Sequence, residues 1–123
     1  ARERAGASEQ EKKNRMALQV TELSLELIQT LQPLMSRIKA RDKSLADQIV
    51  RAASSIALNI GEAEYSDPGN KRARFYTAAG SAGETHNAIR VAIAWRYLPA
   101  QEGEAALALL TRIIAILWRL TRG

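Results

Sequence analysis

The chain has 123 residues, no cysteine and a formal charge of +5, with an isoelectric point near 10.0. That length suits one domain with its own core. The missing cysteine excludes disulfides, thiolate metal sites and cysteine nucleophiles, and no apolar run nears the roughly 18 residues that span a bilayer. One Phe, two Trp, three Tyr and three Pro among abundant Ala and Leu favour helix throughout. With no signal-peptide core at the N-terminus, the expectation is a soluble, cytoplasmic protein.

Residues 1–15 hold no apolar residue larger than Ala, and mix five basic with three acidic side chains. Such a segment buries too little to offset its ordering entropy, which predicts a disordered polar tail before a domain over 16–123. Met16, Val20, Leu23, Leu27, Leu31, Leu34 and Ile38 then recur at spacings of three and four, an amphipathic helix with Leu25, Ile28 and Met35 as a second apolar strip. Pro33 lies inside this pattern, and the periodicity resuming beyond it favours a kink over an end. After the basic turn from Arg37 to Lys43, Ser44 with Asp47 three residues on predicts the start of a second helix.

That helix is built of small residues. Ile49, Ala52, Ala53, Ile56, Ala57 and Ile60 form a thin apolar stripe, while Arg51, Ser55, Asn59 and Glu62 line a polar face. Asp67 as N-cap and Pro68 at the first position predict the third helix. There Phe75, Ala79, Ala82, His86, Ile89 and Ile93 make a heptad seam, and Ala88, Val91, Trp95 and Leu98 a second strip. Gly80 and Gly83 each cost about 1 kcal/mol inside a helix, which predicts a close backbone approach with the Ala/Ser face of helix two as partner. Pro99 closes the third helix. A fourth, from about Glu102 to Thr121, carries a wide arc of Leu107, Leu109, Leu110, Ile113, Ile114, Ile116, Leu117, Trp118 and Leu120.

Four helices on short connections predict an all-α fold, an antiparallel up-down-up-down four-helix bundle. The surplus apolar surface on helices one, three and four predicts a homo-oligomer.

The run Gln48-Ile49-Val50-Arg51-Ala52-Ala53-Ser54-Ser55-Ile56-Ala57-Leu58-Asn59-Ile60-Gly61-Glu62-Ala63, together with Phe75 and Gly80-Ser81-Ala82-Gly83-Glu84, resembles the four-helix-bundle family named after the intervening sequences of bacterial 23S ribosomal RNA genes. The likeness covers about Met16 to Thr121. Ala57 stands where that family usually has Pro, and Val50 replaces the first of two paired arginines. The family is similar in turn to the accessory protein of diversity-generating retroelements, a basic pentamer that binds nucleic acid and a reverse transcriptase. The resemblance thus implies a five-fold ring; it assigns no activity.

Candidate chemistry is sparse. One His, in the string Glu84-Thr85-His86, does not match the paired Glu-x-x-His motifs of a di-iron bundle, so neither metal nor cofactor is expected. The Gly80-Ser81-Ala82-Gly83 segment follows no strand and is no phosphate loop. With a single His and no obvious oxyanion loop to serve the Ser and Thr hydroxyls, an enzyme is not expected. Arg51, Asn59, Glu62, Glu84 and His86 are the candidates for a polar network between helices two and three. Arg37, Lys39, Arg41 and Lys43 at one end, with Lys71, Arg72 and Arg74 at the other, are the candidates for phosphate contact. Few exposed aromatics are expected beside them, so base stacking is not. The resulting expectation is a non-enzymatic scaffold or binding module engaging DNA, RNA, a protein partner or both, and no membrane. The alternatives are an assembly protein whose basicity is incidental, and a small-ligand or metal site around Glu62 and Glu84.

Overall fold

The computed structural model describes residues 8–122. Ser8 opens α1 (Glu9–Arg41) with a reciprocal cap: its Oγ accepts the Glu11 N–H at 3.0 Å, and the Glu11 carboxylate accepts the Ser8 N–H. The Gln10 amide donates to Asn14 Oδ1 at 2.9 Å, and Lys12 lies 3.7 Å from Glu9. Residues 9–15 are therefore helical, which corrects the expected tail in that part; residues 1–7 lie outside the described ones. The physical reason is local. A cap and side-chain pairs one turn apart support a helix extension that buries almost nothing.

The helix continues past Pro33, which is exposed, while Leu31, Leu34 and Ile38 on either side are buried. One residue, Asp42, separates α1 from α2 (Lys43–Ala63). Its N–H donates to the Ile38 carbonyl at 2.7 Å, and its Oδ1 accepts the Leu45 N–H at 3.0 Å. Asp42, rather than Ser44, is the N-cap, because it alone lies between the two helices with a non-helical backbone.

α3 (Pro68–Ala94) begins as expected. Asp67 accepts from the Asn70 N–H at 3.0 Å and from its side-chain amide at 2.9 Å. Those two bonds hold the Asp67 carboxyl below its usual range. The heptad seam faces inward, with Phe75, Ala79, Ala82 and Ile89 buried and His86 and Ile93 half-buried. The second strip splits: Ala88 and Leu98 are buried, whereas Val91 and Trp95 are exposed. α3 ends at Ala94, so the chain brings Leu98 back to the core through a turn and not along the helix.

That turn is a Schellman cap. The Tyr97 N–H donates to the Ala92 carbonyl and the Arg96 N–H to that of Ile93, each at 2.9 Å. Arg96 occupies the left-handed position, with φ 63°, where Gly is the usual residue. α4 (Ala100–Thr121) follows Pro99 without a side-chain cap.

The helices pack in a closed square, α1 on α2, α2 on α3, α3 on α4 and α4 on α1. The small residues of α2 face α3, where Ser55 Oγ and Ser81 Oγ are 2.8 Å apart. Gly80 and Gly83, however, point away from that contact: both are exposed, and a Cβ on either would meet nothing within 4 Å. The close approach falls at Gly103 instead, whose Cβ would lie 2.8 Å from Ile93 Cδ1 across the α3–α4 seam. The wide arc of α4 is absorbed by the protomer's own core, with Leu109, Leu110, Ile113, Ile116, Leu117 and Leu120 all buried between α1 and α3. Among the described residues, Leu18 and Leu25 on α1, Val50 and Leu58 on α2, Tyr65 after it, Tyr76 and Val91 on α3, Trp95 at its C-cap and Trp118 on α4 are the large apolar side chains left outside. No helix there is long and apolar enough to cross a membrane.

Candidate nucleic-acid interface

The expected polar network forms in part. Asn59 donates its amide to the Ser55 carbonyl at 2.9 Å and to Ser55 Oγ at 3.1 Å, and Ser55 in turn meets Ser81. Glu62 pairs with Arg74 at 3.1 Å, near the α2–α3 connection. Arg51 and Glu84 are exposed and form neither a hydrogen bond nor an ion pair. His86 sits half-buried on the seam and is not part of the network. Mid-helix the hydroxyls Ser55 and Ser81 join α2 to α3, because the small residues beside them let the backbones come near enough for short side chains to meet, while the Glu62–Arg74 ion pair joins the same helices near their connection. Among the described residues, no group of three or more His, Cys, Asp or Glu is gathered closely enough to hold a metal.

The basic residues at the two ends differ in how many are engaged. At the α1–α2 end, Arg37 pairs with Glu102 across to α4, and Lys43 pairs with Asp47 at 3.1 Å. Arg41 lies over the Tyr97 ring, 5.5 Å from its centroid. Of that candidate group only Lys39 has no partner side chain. Exposed aromatics do stand beside it, contrary to expectation. Trp95 is 65% exposed and its ring runs nearly parallel to that of Tyr97, with centroids 6.4 Å apart and 14° between planes. The Tyr97 hydroxyl donates to Asp42 Oδ2 at 3.2 Å. Burial, then that hydrogen bond to a carboxylate, pushes its ionisation up.

At the opposite end the helical extension of α1 changes the picture. Lys12, Lys13 and Arg15 on α1 share a cleft of about 610 Å³ with Arg119 and Arg122 of α4. Lys13 also lines an adjoining cleft of about 320 Å³ with Lys71 and Arg72 of α3, floored by Phe75 and Leu120. Among the described residues, Arg15, Lys71, Arg72, Arg119 and Arg122 have no carboxylate or ring partner. Arg74, the third expected member of this group, is occupied by Glu62. The cations from α1 were hidden in a segment that looked like tail. The signal that places them is Ser8 followed three residues later by Glu11, a capping box readable from the chain.

Residues 16–119 match the model of the 23S rRNA-intervening sequence protein family. The chain belongs to that family. Lys71, Arg72 and Arg119 lie within the span matched to the 23S rRNA-intervening sequence protein, and Lys12, Lys13 and Arg15 just before it. Among solved structures, the chain is similar to a protein of unknown function from the S23 ribosomal protein family of Bacteroides thetaiotaomicron. The TM-score is 0.78 at 24% identity, over 85% of this chain and 99% of that one. That likeness supports the four-helix arrangement and carries the fold alone. No curated protein matches the sequence.

Proposed function

We propose that this 23S rRNA-intervening sequence protein is a non-enzymatic, self-assembling module that binds nucleic acid through its phosphates. The observation that carries the reading is the gathering of Arg15, Lys71, Arg72, Arg119 and Arg122 from three helices around two adjoining clefts, with no carboxylate or ring partners of their own. Unpaired cations gathered at one end neutralise phosphates and release counterions, a contact that carries no base preference.

A second reading concerns assembly. Gly80 and Gly83 weaken α3 by about 1 kcal/mol each, and no group of the same chain fills the space above them. A neighbouring copy laying Leu18, Leu25, Val50 or Leu58 against that open face would use two different surfaces of each protomer. Such head-to-tail contacts form a ring when the rotation between copies closes, and five copies is the number the family resemblance implies. Each basic end would then repeat around a rim.

The test is binding of duplex and single-stranded DNA and RNA over a salt series, with light scattering on the same samples. Phosphate binding gives affinities that fall steeply with salt, and Lys71→Glu with Arg72→Glu lowers the log–log slope by about 2. A stable oligomer that ignores all the polymers at low salt would sink the nucleic-acid reading and leave an assembly protein that meets only a protein partner.

A further inference from the structure

The other end of the bundle carries a feature that phosphate contact does not use. We infer that Trp95, Tyr97 and Arg96 form a stacking platform for an unpaired nucleobase, so that the protein prefers single-stranded nucleic acid. The inference rests on the nucleic-acid reading above and names the form of polymer it takes.

Three observations carry it. Trp95 is 65% exposed at the end of α3, and its ring is held almost parallel to Tyr97. The Tyr97 ring is itself fixed twice, by its hydroxyl on Asp42 and by the Arg41 guanidinium over its face. Asp42 is fixed in turn as the cap between α1 and α2. The Tyr97 ring, against which Trp95 lies, is therefore held in place before any ligand arrives, which lowers the entropic cost of using it. The third observation is Arg96. It stands at φ 63° in a Schellman cap, where Gly would relieve the backbone, and it makes no ion pair within the chain. A cation kept at a glycine position, between two aromatic residues, fits a group that needs both a flat face and a positive charge: a base with its phosphate. An aromatic face stacks any base that is out of its duplex, whereas a duplex offers such a face only at its ends.

Arg37 and Lys43 are already paired with carboxylates here, which leaves Arg96 and Lys39 as the unpaired cations of the group and makes counterion release smaller than at the basic end. That separates it from the basic end in the same titration. Trp95→Ala is expected to weaken binding of a short oligothymidylate by about 5- to 100-fold, leave duplex affinity unchanged, and leave the salt slope unchanged. Arg96→Gly is the sharper variant, since it is expected to raise the melting temperature while weakening the same oligonucleotide; a purely structural arginine would give the first effect without the second. In a Trp118→Phe background, the fluorescence of Trp95 is expected to be quenched on binding. Equal losses for duplex and single strand, unchanged affinity in both variants, or a fall in oligomer mass on Trp95→Ala would each overturn the platform. If Lys71→Glu with Arg72→Glu still weakens binding while Trp95→Ala does nothing, the phosphate reading stands and the platform falls. If the unaltered protein binds neither polymer, both fall together.

Discussion

Asp67 shows how one side chain can set a helix and its pH response at once. It is the N-cap of α3, and both its oxygens accept from Asn70. Those bonds favour the charged form, so its folded ionisation lies below the ordinary 3.8. The sign follows directly. A lowered folded value contributes stability that is full above pH 4 or so and is lost as pH falls through the folded value. Asp67→Asn, which keeps the capping oxygen, is expected to flatten the acid limb of a melting-temperature profile below about pH 4 and to change little at pH 7. Asp67 was readable from the chain because Asp-Pro before a helical pattern has a local mechanism. Asp42 was not, since its capping role arises only when two helices meet at a single residue.

Among the elements, α3 is the most telling. Its buried seam could be read from spacing alone, and Phe75, Ala79, Ala82 and Ile89 are buried as the heptad requires. The glycines could not be placed, because spacing shows that a helix tolerates Gly80 and Gly83 without showing which way they face. They face out. Gly80→Ala and Gly83→Ala are therefore expected to stabilise the isolated protomer by up to about 1 kcal/mol each, since no group of the same chain obstructs the added methyl. If a neighbouring copy rests on that floor, the same variants lower the oligomer mass in light scattering while raising the protomer's helical content per melt. Melting temperature and mass moving in opposite directions would identify the face. Gly103 gives the contrasting case, because its open side is taken by Ile93 and a side chain larger than Ala there is expected to cost about 1–3 kcal/mol.

For the whole molecule, four helices of 33, 21, 27 and 22 residues make a rod whose two ends differ in kind. At one end Arg15, Lys71, Arg72, Arg119 and Arg122 have no carboxylate or ring partner among the described residues; at the other, Arg37, Arg41 and Lys43 are engaged within the chain, and Lys39 and Arg96 are not. The bundle and its helix order could be derived from apolar periodicity, since each stripe needs a neighbour and short connections leave few ways to supply one. The division between the ends could not. Whether a surface arginine is free depends on which carboxylate the fold brings to it, and Glu102 reaches Arg37 from a helix 65 residues away in the chain. A basic residue count is blind to that difference.

The first two turns of α1 have one more consequence. They are held by a cap and by neighbours on the same helix, with nearly every side chain in water, so they are the part of the core fold that unwinds at least cost. Their amides should exchange with deuterium far faster than those around Leu27 or Ile113. They also carry Lys12, Lys13 and Arg15, so the segment that frays first is the one a polyanion would touch. Slowed exchange over residues 9–15 on adding nucleic acid, with the bundle's interior unchanged, would make this arm a built-in gauge of occupancy.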